Sequence, residues 1–269
     1  MIIGKKNFDT DHETYIMGIL NVTPDSFSDG GNFNCLDAAL RHTEEMLAEG
    51  ADIIDIGGES NRPGHVLQIT DQEEIDRVTP IIEAVKSRFD VPISLDTYKS
   101  AVAEAGIAAG ADLINDIWGL KYDPKMAEVI AKGDVACCLM HNRDNSNYAD
   151  FLKEWYDETA ECVTLAKAAG IVDDKIILDP GVGFGKTYEQ NLITIKYMDK
   201  LKTLGYPLLL GTSRKSVIGL TLDTPVTDRV LGTAVTTVFA VQQGYAFVRV
   251  HDIKANKQAI QMTKAIMEA

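Results

Sequence analysis

The chain has 269 residues, a formal net charge of −14, 45% hydrophobic and 25% charged residues, and no low-complexity tract. That length suits one large α/β domain or two small ones with a real core. The acidic balance argues against a general nucleic-acid or anionic-membrane binder, so an anionic substrate would need individual Arg and Lys residues placed locally. The opening residues MIIGKKNFDTDH lack the apolar segment of a signal peptide, and no run approaches the ~20 apolar residues of a membrane span. The expectation is a cytoplasmic protein. Four cysteines (Cys35, Cys137, Cys138, Cys162) show no CxxC spacing. Cys137 and Cys138 are adjacent in an apparent strand and so point to opposite faces, which favours reduced, structural thiols.

In chain order, residues before Tyr15 read as a short N-terminal hairpin or arm. Apolar strand runs follow at 15–22, 52–58, 92–97, 112–117, 135–141, 175–179, 208–212 and 246–250. Helical periodicity fills the gaps: Leu36, Leu40, Thr43 and Leu47 share one face, and so do Ile75, Val78, Ile82 and Val85. Glycines at 50, 110, 170 and 244 stand where helix C-cap residues belong. Strand–helix alternation repeated eight times, with strands apolar nearly throughout, predicts an α/β fold: a single (β/α)8 barrel with the N-terminal hairpin closing its bottom. No linker-like stretch interrupts 1–269, so one domain is expected.

In such a barrel the chemistry gathers where strands pass into the following loops. Those ends carry, in order, Asn21, Asp55, Asp96, Asn115-Asp116, Met140-His141, Asp179, Ser213-Arg214-Lys215, and Arg249 with His251. One polar strand end is commonly a satisfied hydrogen bond or a helix cap; eight in succession point to a shared site. Asp96, Asn115, Asp179 and Lys215 suit a flat heterocycle with adjacent donors and acceptors, because a carboxylate accepts from a ring N–H and an exocyclic amine at once. Arg249 and His251 are two apart on a strand and share a face; with Arg62 they form a candidate phosphate or pyrophosphate clamp. The segment KIILDPGVGFGKT (175–187) lacks the glycine a P-loop needs five residues before Gly185, where Pro180 stands. Lys186 is therefore open between ligand contact and a structural role. His141 is read as structural ahead of metal-ligating. A phosphate-borne Mg²⁺ needs only one or two protein oxygens, and Asn21 can supply one.

The motifs MGILNVTPDSFSDGG (17–31), GGESNRPG (57–64), SLDTYK (94–99), NDI (115–117), DPGVGFGKT (179–187), GTSRKS (211–216) and VRVHD (248–252) resemble those of dihydropteroate synthases, in the same order along nearly the whole chain. The resemblance implies an enzyme that joins 6-hydroxymethyl-7,8-dihydropterin pyrophosphate to p-aminobenzoate, releasing pyrophosphate with Mg²⁺. It also implies a homodimer in folate synthesis and a target of sulfonamides. Carried over by position, it puts the pterin on Asp96, Asn115, Asp179 and Lys215 with Phe184 and Met140 nearby, Mg²⁺ on Asn21, and pyrophosphate on Arg62, Arg249 and His251. Ser213 lines the p-aminobenzoate side, Phe27 reaches in from the first loop, and Asn61 stands where the family usually has Thr or Ser. The implied mechanism is an SN1-like substitution in which pyrophosphate leaves before the aniline nitrogen attacks. Two alternatives remain at this stage: a pterin-binding methyltransferase domain, which has no need of the pyrophosphate-facing Arg62, Arg249 and His251, and a non-catalytic pterin-binding paralogue.

Overall fold

The computed structural model describes residues 1–22, 31–59 and 69–269. The expected site residues Phe27, Asn61 and Arg62 lie outside the described residues. Eight strands form one parallel sheet: β3 (Tyr15–Asn21), β4 (Ile53–Gly57), β5 (Ile93–Asp96), β6 (Leu113–Asp116), β7 (Ala136–Met140), β8 (Ile176–Asp179), β9 (Leu209–Leu210) and β10 (Phe247–Val250). The spatial order is β8-β7-β6-β5-β4-β3-β10-β9. A parallel bridge between Leu178 and Leu208 joins β8 to the residue before β9, with Leu178 N–H donating to Pro207 O at 3.0 Å. That bridge brings the two ends of the sheet together and makes the barrel.

Period-two alternation sorts the strand side chains. Ile16, Ile54, Ile56, Leu95, Ile114, Cys137, Leu139, Ile176, Leu178 and Val248 pack outward under the helices. Met17, Ile53, Leu113, Ala136, Cys138, Ile177, Leu209 and Phe247 pack together inside. Adjacent Cys137 and Cys138 thus fall on opposite faces as expected, and all four cysteines are free thiols. The floor of the lumen is the predicted hairpin, β1 (Ile2–Ile3) with β2 (Lys6–Asn7), whose turn uses the left-handed φ of Gly4. Its Ile3 and the following Phe8 join the inner cluster, Phe8 lying edge-on to Tyr15 at 4.8 Å and 5.6 Å from Phe247.

Helices surround the sheet: α1 (Gly31–Glu49), α2 (Asp71–Arg88), α3 (Ser100–Ala109), α4 (Met126–Gly133), α5 (Phe151–Ala168), α6 (Tyr188–Lys196), α7 (Ser216–Leu222), α8 (Val230–Gln242) and α9 (Ile253–Met267). The predicted C-cap glycines 50, 110, 170 and 244 all have positive φ. Capping boxes Thr70–Glu73 and Thr187–Gln190 start α2 and α6, fixing where the second and sixth strand-to-helix loops re-enter regular structure. The strands are shorter than the expected runs, mostly by one residue at an end. A 3₁₀ turn over Asp173–Lys175 delays β8 by one residue, and the run 208–212 contributes only two ladder residues.

Candidate active site

Above the apolar floor the inward positions become polar. Asp55, Ser94, Asp96, Asn115 and Asp179 are all buried, and Arg249 lies one inward step above Phe247 on β10. Arg249 is the hub. Its Nε donates to Asp55 Oδ2 at 2.6 Å and its Nη2 to Asp96 Oδ2 at 2.7 Å, while Ser94 Oγ donates to Asp55 Oδ1 at 2.5 Å. Burial works against the guanidinium charge, but Asp55 and Asp96 outweigh it and push the Arg249 pKa above its ordinary value. Asp55 has no exposed surface, so its carboxylate is a support held below the rim. Sequence reading noted Asp55 as a strand-end acid and gave it no role; what marked it was its inward register, two residues on from Ile53.

The second half of the site is Asp179 and Lys215. Gly181 N–H donates to Asp179 Oδ1 at 2.7 Å. Burial raises the Asp179 pKa, against the opposing pull of Lys215 and that N–H. Burial lowers Lys215 to about 8, with Asp179 holding it up. Lys215 Nζ donates to Val182 O at 2.5 Å and lies 4.6 Å from the centre of the Phe184 ring, a cation–π distance. Two glycines keep this space open. A Cβ at Gly183 would meet Lys215 Cδ at 3.1 Å, and one at Gly211 would stand 3.4 Å from Asp179 Oδ2. Asn115 is the register partner of Asp96, and Met140 that of Asp179. Met140, Phe184, Tyr98, Ile117 and Trp118 make a small apolar cluster of their own beside these polar groups. Flat apolar walls next to two carboxylates, an amide and an ammonium are what a heterocycle with a polar edge requires.

Ser213 and His251 meet at the rim: the His251 backbone N–H donates to Ser213 Oγ at 3.1 Å, and Ser213 Oγ lies 3.0 Å from His251 Nδ1. Arg214 turns away to Asp252, with Nε to Oδ2 at 2.9 Å, its left-handed φ of 58° steering it there. Asn21 ends β3 beside Asp96: a Cβ on neighbouring Gly57 would lie 3.5 Å from Asp96 Cβ and 3.9 Å from Asn21 Oδ1. Among the described residues, no group of three or more His, Cys, Asp or Glu could hold a metal by itself.

A second buried ion cluster adjoins the site. Lys99 Nζ donates to Glu59 Oε2 (2.7 Å), Glu74 Oε2 (2.8 Å) and Ile69 O (2.9 Å), tying the end of β5 to α2 and to Glu59 beyond β4. The sequence reading did not find this cluster, because its members come from three elements. Lys186, left open above, points inward to His141 and to carbonyls of its own loop.

A profile described as "Pterin binding enzyme" matches residues 17–251. The chain is 56% identical over 268 residues to the dihydropteroate synthase of Clostridium beijerinckii, covering 99% of each. It superposes with a TM-score of 0.94 on a dihydropteroate synthase from Clostridium difficile crystallised in the presence of pteroic acid. That pair is 50% identical, covering 98% of this chain and 100% of the other. A Xanthomonas albilineans dihydropteroate synthase with 4-aminobenzoic acid superposes at 0.90 and 39% identity, covering 96% of this chain and 94% of the other.

Proposed function

The chain belongs to the dihydropteroate synthase family, and from that premise we propose a division of labour among its lumen residues. It is a transferase that condenses 6-hydroxymethyl-7,8-dihydropterin pyrophosphate with p-aminobenzoate. In our reading Asp179 accepts from the pterin's amino-pyrimidinone edge, Asn115 and Asp96 complete that edge, and Lys215 meets a ring nitrogen or carbonyl. Phe184 and Met140 lie against the ring. The observation that carries this is the buried pairing of Asp179 with Lys215 beside an aromatic ring, a costly arrangement for a barrel core with no ligand to recognise.

The substitution follows from the charges. Asp55, Asp96 and Asp179 gather beside Arg249 and Lys215, so a positive charge developing on the pterin methylene meets carboxylates held in a buried pocket. Arg249, held by Asp55, fixes the orientation of the Asp96 carboxylate. The family resemblance assigns the departing pyrophosphate to Arg62, Arg249 and His251, and p-aminobenzoate to Ser213, Asn61 and Phe27. A neutral aniline is nucleophilic as it stands, and no general base is needed. Asn21 suits a phosphate-borne Mg²⁺: its amide oxygen lies at the strand ends near Asp96, and a hard cation carried by two phosphates takes one or two protein oxygens. Bound there, Mg²⁺ would neutralise charge on the leaving oxygens.

We further propose a cytoplasmic homodimer of a chain folded as one domain from 1 to 269. No described helix is long and apolar enough to cross a membrane. Leu231, Val235 and Phe239 on α8 and Met262 and Ile266 on α9 are exposed on two helices packed together, an apolar face of the kind a second copy covers. Light scattering should give twice the chain mass, falling to the monomer in Leu231→Glu/Val235→Glu. The site assignment is tested by calorimetry with the pterin substrate. Asp179→Asn and Lys215→Met should lose most of the heat of binding while keeping the wild-type circular dichroism; full retention of affinity in both would mean that the pterin binds elsewhere.

A further inference from the structure

The loop 180–187 carries Phe184 and the carbonyl that holds Lys215, and what shapes it lies behind the site. It closes tightly over the end of β7. Gly181, at φ +71°, runs so close to the His141 carbonyl that a Cβ would collide with it, and a Cβ at Gly185 would stand 2.6 Å from the Arg143 carbonyl oxygen. Trp155 Nε1 donates to Pro180 O at 2.9 Å and Tyr148 Oη to Gly185 O at 2.8 Å.

Lys186 fills the centre of this turn. Its ammonium has three acceptors at hydrogen-bond distance: Gly181 O (2.9 Å), Phe184 O (3.1 Å) and His141 Nδ1 (2.8 Å). Three N–H donors meet three acceptors, two of them on the loop itself. Because His141 Nδ1 accepts, the ring proton resides on Nε2, which donates to Glu158 at 3.0 Å. Burial of the ring pushes its pKa down to about 4, in keeping with a neutral imidazole. Glu158 is gripped by Arg143 at 2.7 Å, and Arg143 also holds Glu154 at 2.7 Å. A connected row thus runs from helix α5 through Glu158, His141 and Lys186 to the two carbonyls that bracket Val182 and Phe184. From there Val182 O reaches Lys215.

We propose that Lys186, oriented by the His141–Glu158 pair, is a positioning residue for the pterin subsite. It sets the loop so that the Val182 carbonyl and the Phe184 ring hold the Lys215 ammonium next to Asp179. The inference rests on the pterin assignment above and extends it to three side chains that do not touch the substrate. A scaffold role alone would affect folding stability and leave substrate discrimination untouched; a positioning role acts on the pterin and not on p-aminobenzoate.

Two substitutions of His141 separate these roles. His141→Asn puts an amide oxygen where Nδ1 stands, keeping the acceptor for Lys186 and losing the link to Glu158. His141→Gln reaches the Nε2 position, keeping Glu158 and losing the acceptor. Steady-state kinetics on the full-length enzyme should give a pterin KM raised about tenfold or more in His141→Gln and Lys186→Met. His141→Asn should stay within about threefold of wild type, and the p-aminobenzoate KM should hold within about twofold in all three. If Lys186→Met fails to fold, the two His141 variants still decide. Equal pterin KM values in His141→Asn and His141→Gln, or a parallel rise in both substrates' KM, would overturn the proposal. Absence of pterin binding by the wild-type protein would instead overturn the pterin assignment itself.

Discussion

Replacing Arg249 with Met tests the reading of the lumen as a counter-charged pocket. The substitution keeps most of the apolar stem and removes a guanidinium that makes hydrogen bonds of 2.6 and 2.7 Å to two carboxylates. Asp55 would then be a fully buried charge near Asp96 of the neighbouring strand, with Ser94 still donating to it. Removing one member of a buried ion pair costs about 3–5 kcal/mol, mostly the penalty of stranding the other charge. The Arg249 side chain is 20% exposed and the lumen opens at its rim, so water can solvate part of the loss. The expected cost is about 3 kcal/mol, read as a lower urea midpoint with an unchanged m-value. Adding Asp55→Asn removes the stranded charge and should recover more than half of that loss. The double-mutant cycle then reports a coupling of about 1.5 kcal/mol or more. A loss under about 1 kcal/mol, or no recovery in the double variant, would refute the claim that Arg249 and Asp55 form one electrostatic unit.

Lys215, lowered to about 8 by burial against the pull of Asp179, should lose its positive charge as pH rises through that value. Pterin affinity measured by calorimetry should therefore fall between about pH 7 and 9, and a flat profile would contradict the assignment. The linkage to stability has the opposite direction: between about 8 and the ordinary 10.5 the unfolded chain binds more protons, so this lysine's contribution makes the fold more stable as pH rises. Lys99→Met strands Glu59 and Glu74, both nearly buried, and should cost about 3 kcal/mol in urea unfolding, with Lys99→Arg recovering part of it; an unchanged midpoint would show that water compensates those acids. Asn61→Thr should lower the p-aminobenzoate KM, and an unchanged value would mean that the amide is accommodated.

The eight strands were legible because each is largely apolar and passes into a polar loop, and the C-cap glycines were legible because no other residue accepts their φ at low cost. The gathering of Asp96, Asn115, Asp179 and Lys215 could be read for the same reason: a barrel brings its strand ends together whatever the spacing in sequence. What escaped were partnerships across that geometry. Asp55 and Arg249 are 194 residues apart, and nothing local to either marks the pair. Lys186 sits in a motif that invites a ligand, yet its acceptors are a histidine on β7's end and the carbonyls of a turn whose shape depends on that packing. The short β9 was overestimated because Gly211 and Thr212 continue the apolar run in sequence while the chain has already left the ladder.

The most direct test is to incubate the purified protein with 6-hydroxymethyl-7,8-dihydropterin pyrophosphate, p-aminobenzoate and Mg²⁺ and to quantify dihydropteroate and pyrophosphate together. The account predicts that both form in equal amounts in the wild type, and that Asp179→Asn and Lys215→Met lose most of that rate. No product above background in the wild type would contradict the assigned activity, and full activity in both variants would contradict the site.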